Sequence, residues 1–172
     1  IYHGVDLTSD LSHLSDNQHK MLSLLIDASK IMDDLFWKQA FFEDKDAFLS
    51  SISDEKVRHF AAINYGPWDR LNGDTPFLSG YEDKALGAEF YPHDMEKEEF
   101  ATADFGDKQG LYSMVKRDEA GNLYSVPYSE AFKSELMKAS DLLKKASELA
   151  EDESFKQYLQ LRSEALLSND YL

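Results

Sequence analysis

The chain has 172 residues, with 33 Asp and Glu against 18 Lys and Arg, a formal net charge of −15 and no cysteine. That length suits one domain with a real core. A 42% hydrophobic and 13% aromatic content excludes a disordered acidic tail, and the negative balance excludes nucleic acid and anionic membrane surfaces as partners.

No apolar run approaches the ~18–20 residues that span a bilayer, so a soluble protein is expected. The lack of thiols removes disulfides, thiolate metal sites and cysteine nucleophiles. It leaves the compartment open between cytoplasm and periplasm. The chain opens at Ile1 rather than Met, and an upstream segment, a leader or otherwise, is expected to have been removed.

The first periodic segment runs from Leu14 to Phe42. Ser15 and Gln18 form a capping-box pattern, and Met21, Leu24, Leu25, Ala28, Ile31, Met32, Leu35, Phe36 and Gln39 recur at steps of three and four. Asp34 and Lys38 stand in the favourable i, i+4 order. Two shorter helices follow. Asp44 to Ile52 carries Ala47, Phe48 and Ile52, and a second helix, capped by Ser53, has a face of Val57, Phe60, Ala61 and Ile63. Gly66-Pro67 must end it, because proline disfavours helical backbone in the residue before it.

From Gly66 to Tyr91 the periodicity vanishes. The segment is dense in Gly, Pro, Asp and Asn but also holds Trp68, Phe77, Tyr81, Phe90 and Tyr91. A structureless loop of this length is uncommon in a compact domain, so an ordered aromatic excursion is expected. A short helix from Glu96 to Ala103 follows. The runs Leu111–Val115 and Leu123–Val126 around a turn containing Gly121-Asn122 read as one β-hairpin, with Tyr112, Tyr124 and Tyr128 as cross-strand packing residues. Ser129 is expected to cap a helix carrying Phe132, Leu136, Met137, Ala139, Leu143, Ala146 and Ala150. After Asp152-Glu153-Ser154, a last helix carries Phe155, Tyr158, Leu159, Leu161, Ala165 and Leu166. The expected fold class is mainly α: a single helical domain over 1–172 with a long ordered aromatic loop and one small β-hairpin.

Catalytic signatures are scarce. The histidines are His3, His13, His19, His59 and His93, and no two are four apart, so no helix face offers the paired imidazoles of a zinc hydrolase. His93 and Glu96 form an i, i+3 pair at a helix start, and His59 reads as a half-buried packing residue. There is no Gly-x-Ser-x-Gly elbow and no phosphate-cradling glycine loop. Asp33-Asp34 and Glu98-Glu99 are adjacent, so on a helix they diverge and read as a solvated acidic face. Carboxylate catalysis by Asp69 and Asp74 has no positive support. No catalytic residue and no metal ligand is assigned.

One segment invites a binding role. Asn64, Tyr65, Trp68, Asp69 and Arg70 place an amide, two aromatics and an ion pair around a sharp chain break. Trp and Tyr supply flat contact area with a polar edge, and Asp69 can orient Arg70. The cluster either lines a binding cleft or plugs the core with Trp68 while Asp69 and Arg70 brace the loop. If it lines a cleft, substituting Trp68 should alter kinetics without unfolding the protein.

Several stretches carry a resemblance. They are Leu14–Gln18, Ile31–Gln39, Ile63-Asn64-Tyr65-Gly66-Pro67-Trp68-Asp69-Arg70-Leu71, Phe90–Met95, Leu111–Val115, Val126–Phe132 and Leu161–Leu167. In order and spacing they resemble the N-terminal part of bacterial zinc hydrolases related to dipeptidyl-peptidase III. The resemblance implies a fragment of a longer, two-lobed enzyme that cleaves dipeptides from peptide N-termini. It also implies zinc in the full-length protein, held by a His-Glu-x-x-Gly-His helix and a further glutamate, none of which this chain contains.

The chain would then be a scaffold and cleft-wall domain, catalytically inert alone, with the C-terminal catalytic region of the same polypeptide and a peptide substrate as partners. It should expose an apolar face toward the missing half. The alternative from another class is an independent acidic helical module that binds a protein or peptide through the aromatic loop.

Overall fold

The computed structural model describes residues 3–41 and 44–172. Helix α1, Asp16–Ala40, begins at Ser15, whose hydroxyl accepts from the Gln18 amide while the Gln18 side chain accepts from the Ser15 N–H. This capping box was legible in the sequence. The expected C-terminal residue of the helix, Phe42, lies outside the described residues. The expected Asp34–Lys38 pair does not form. Asp34 instead holds Lys45, and Lys38 reaches Glu135 on a distant helix.

Helices α2, Lys45–Ser51, and α3, Glu55–Asn64, follow, capped by Asp44 and Asp54. Asp54, not Ser53, caps α3: its carboxylate accepts from the amides of Lys56 and Val57. A carboxylate at this position also meets the positive end of the helix dipole. Ile63, expected on the packed face, is exposed, as is His59.

Tyr65 closes α3 in the left-handed region, with φ 56°. The Gly66 N–H bonds Ala61 O and the Tyr65 N–H bonds Ala62 O, the paired closure of a Schellman motif. Gly66, at φ 143°, has a backbone that other residues rarely adopt, and a Cβ there would lie 3.0 Å from the Trp68 ring, so any substitution is strained.

The aromatic excursion is ordered and opens with a second hairpin that periodicity did not reveal. Strands β1, Trp68–Asp69, and β2, Thr75–Pro76, pair antiparallel. Two residues per strand are too few to show alternation. Helix α4, Lys97–Thr102, precedes the expected hairpin of β3, Ser113–Arg117, and β4, Leu123–Pro127, in which Met114 lies opposite Val126. Tyr124 lies exposed across the strands from Lys116, and the Tyr128 amide donates to Tyr112 O just beyond the paired residues, so the tyrosines do sit across the hairpin. Their rings pack elsewhere, Tyr112 at 4.6 Å from Tyr171 and Tyr128 against Phe132.

A short turn of helix, α5, Tyr128–Ala131, leads into α6, Lys133–Leu149, and α7, Glu153–Ser168. Ser129 caps nothing. Its N–H and hydroxyl bind the side chain of Asn169, which ties α5 to the end of α7.

α6 packs between α1 and α7. Its contact face carries Ala139, Ser140, Ala146 and Ser147, all buried and spaced by seven, so small residues let the helices approach closely. The Ser140 hydroxyl donates to Ser163 O at 2.8 Å, which satisfies a buried polar group across that interface. Two cores result. The first joins Leu35, Met114, Phe132, Leu136, Ala139 and Leu166. The second joins Trp37, Phe41, Phe48, Ile52, Ala61 and Trp68.

Leu136→Ala removes a nearly buried side chain from the centre of the first core. It should cost about 2–5 kcal/mol, read as a lower urea midpoint with an unchanged slope.

Candidate functional site

The end of α3 and the β1–β2 hairpin place all five candidate residues within one knot of chain. Asn64 is buried. Its Nδ2 donates to Phe60 O at 2.9 Å, and its Oδ1 accepts from the Arg70 amide at 3.0 Å. It therefore staples the helix end to the turn. Trp68 is 7% exposed, its indole N–H donates to Glu82 O at 2.8 Å, and its ring lies 5.8 Å from Phe41 and 6.4 Å from Tyr81. Asp69 accepts the Leu71 amide at 3.1 Å, an Asx turn that shapes the hairpin tip. These four bonds build the loop.

Tyr65 and Arg70 present the outward side. The expected Asp69–Arg70 pair is replaced by stacking: the Arg70 guanidinium lies 5.8 Å from the Phe36 ring centre and 5.9 Å from that of Tyr65. The Tyr65 hydroxyl donates to Asp33 on α1, and this bond, reinforced by partial burial, raises the phenol above its ordinary range. Asp33, Asp34 and Glu99 are thus all engaged rather than a merely solvated face. Holding a tyrosine at positive φ costs on the order of 1–2 kcal/mol. The Asp33 bond and the packing of its ring on Phe36 and Trp37 offset that strain.

A second feature was not visible in the sequence. An open groove of about 720 Å³ lies between the 85–95 segment, α4 and the start of β3, with Phe90, Tyr91, Met95, Phe100, Val115 and Tyr128 on its walls. Leu86 and Leu111 line it too and are highly exposed. Its lining carries Lys97 and Lys108, with His93 beside them and no acid, in a chain of net charge −15. These residues come from segments far apart in the chain, so no local spacing announces them.

The groove is braced by charge. Arg117 on β3 grips both carboxylate oxygens of Glu99 on α4, and its Nε lies 3.3 Å from Asp94. Lys108 donates to the carbonyls of Phe100, Ala101 and Ala103, closing the C-terminal end of α4. His93 lies 3.0 Å from Glu89 rather than pairing with Glu96. Among the described residues no group of three or more His, Asp or Glu could hold a metal ion. No helix there is long and apolar enough to cross a membrane.

Set against known proteins, this backbone has close counterparts. It superposes on the structure of DPP III from Caldithrix abyssi with a TM-score of 0.87, at 40% identity over 95% of this chain. The chain resembles part of a dipeptidyl-peptidase III. A second structure, dipeptidyl-peptidase III from Corallococcus sp. strain EGB, gives a TM-score of 0.88 at 32% identity over 97% of the chain. The chain spans 33% of the length of each of those proteins. It is also 32% identical, over 99% of its length, to 30% of a protein named Nudix hydrolase 3 from Arabidopsis thaliana. No protein-family model matches.

Two outcomes are expected. Asn64→Ala leaves the Arg70 amide without its acceptor and should cost about 1–3 kcal/mol, measured by chemical denaturation. The Glu99 carboxyl is held below its ordinary value of 4.5, first by the hydrogen bond from Arg117. Its contribution is therefore complete above that ordinary value and lost as pH falls through the lowered one. The NMR titration of the Glu99 side-chain carboxyl should fall below the ordinary carboxylate range, and removing its hydrogen-bond partner with Arg117→Gln should move it back up.

Proposed function

We propose that this chain is a supporting and cleft-wall portion of a zinc-dependent, dipeptidyl peptidase-like hydrolase, inert on its own. The observation that carries the reading is backbone agreement, at TM-scores of 0.87 and 0.88 over nearly the whole chain, with two dipeptidyl-peptidase III structures. Fold likeness at 40% and 32% identity supports a shared role for this part of the molecule. The described residues do not fit a zinc site, so the metal belongs, in this reading, to polypeptide beyond these 172 residues. There zinc would polarise the scissile carbonyl and activate water. The partners are that catalytic region and a peptide substrate.

Within this reading the candidate cluster meets the peptide through its outward side. Arg70 offers a stacked guanidinium suited to a peptide carbonyl or carboxylate, while the Tyr65 hydroxyl, its proton given to Asp33, can accept from a peptide N–H. Asn64, Trp68 and Asp69 hold that pair in place from behind. The burial of Trp68 changes which substitution is informative. Removing a nearly buried indole costs about 3–5 kcal/mol and would confound kinetics with unfolding, so Arg70 is the better probe.

The decisive assay is dipeptide release by the full-length gene product with and without a zinc chelator, beside the 172 residues alone. Release by the full product, lost on chelation and absent from the short chain, is expected. Turnover by the short chain, or none by the full product, overturns the reading. In the active protein Arg70→Ala should raise KM about tenfold, as expected for loss of one charge-assisted contact, with an unchanged melting temperature. Unchanged kinetics would confine Arg70 to bracing the loop.

A further inference from the structure

α7 is packed on one side only. Leu159, Ser163, Ala165 and Leu166 are buried toward α6 and the first core, yet Phe155, Tyr158 and Leu161 are exposed on the remaining surface of the helix. An edge helix facing water normally carries polar residues there. Here the exposed side chains are organised. Phe155 stacks on Tyr158 at 6.1 Å, and Arg162 lies 5.5 Å from the Tyr158 ring and 5.2 Å from that of Tyr171. Tyr171 in turn lies 4.6 Å from Tyr112. The result is a ladder of rings with one guanidinium sandwiched between tyrosines, the residue types enriched at the centres of protein interfaces.

The ladder and the groove are continuous. Tyr112 ends the ladder, while its neighbour Leu111 lines the groove and is 82% exposed. Leu86, 84% exposed, is another lining residue. The Tyr128 amide bonds Tyr112 O, so the groove wall and the ladder share one backbone contact. Scattered exposed leucines are ordinary on a protein surface, but a contiguous face of this kind marks an interaction site.

We infer that this face, from Phe155 through Tyr171 and Tyr112 to Leu111 and Leu86, is the seat of the remaining portion of the same polypeptide. The inference rests on the peptidase reading above. Two observations select that occupant. The similar solved chains are three times as long as the matched stretch. The groove lining carries Lys97 and Lys108 and no acid, within a strongly acidic chain, which suits an apolar ridge edged by carboxylates. The occupant is thus a folded, covalently continuous domain that inserts such a ridge between Leu86 and Leu111.

The test is hydroxyl-radical footprinting of the natural full-length product, read by mass spectrometry at two protein concentrations. Leu71 supplies the internal standard, being a leucine of similar exposure, 79%, on a hairpin outside this face. Leu86 and Leu111 should be oxidised at least about fivefold more slowly than Leu71, as expected of side chains inside an interface core. Tyr158 and Tyr171 should be protected with them. Equal rates for the three leucines overturn the inference. Protection that appears only at the higher concentration, alongside a dimer mass, also overturns it by assigning the face to a second copy. The readout is independent of turnover. Protected leucines in a product that releases no dipeptide would refute the peptidase reading alone, whereas dipeptide release with unprotected leucines would refute the docking face alone.

Discussion

The whole arrangement depends on α1 serving two cores at once. Leu35 and Trp37 are two positions apart, which on a helix of ~3.6 residues per turn sets them about 200° around the axis. Leu35 enters the core shared with α6, α7 and β3, and Trp37 enters the aromatic core of α2, α3 and the excursion. A helix with one apolar stripe would have served only one of them. This two-sided commitment fixes where the Tyr65 knot sits relative to the α6–α7 pair, because both hang from the same 25-residue rod.

Around that rod the polar chemistry is local and explicit. Asn64 joins a helix end to a hairpin, Asn169 joins α7 to α5, Lys38 joins α1 to α6, and Arg117 joins β3 to α4. Each is a side chain satisfying groups on another element, so the loops are held by specific bonds rather than by shared hydrophobic area alone. A buried side-chain bond such as that of Asn64 contributes modestly when made and costs more when broken. That asymmetry explains how an excursion of about 25 residues, without regular structure over most of its length, stays ordered.

The functional consequence is a division of surfaces. The Tyr65–Arg70 knot stands on α1, α3 and β1. The aromatic ladder and the groove stand on α7, β3, α4 and the 85–95 segment. In the proposed enzyme the first would face substrate and the second the rest of the polypeptide, which leaves the α1–α6–α7 layer as the rigid element between two contact surfaces.

The sequence by itself determined the helices. Their capping box, their three-and-four spacing and the Gly66-Pro67 break are short-range effects, written in residues within a turn or two of one another. The longer hairpin is legible for the same reason, through two β-prone runs and a glycine turn. Family likeness also followed from local runs such as Asn64–Leu71.

Only the tertiary structure decided which side chains those elements bury. Periodicity placed Ile63 on the packed face of α3, where it is exposed, and left Trp37 unassigned, because α1, packed on two sides, has no single apolar stripe to find. It could not separate Trp68, which plugs the second core, from Arg70, which stacks outward, since the two share one short segment and differ in which neighbour the fold brings near. The groove was beyond reach for a stronger reason. Its walls come from segments tens of residues apart, and their convergence is set by the Arg117 and Lys108 bonds, whose partners no local spacing identifies.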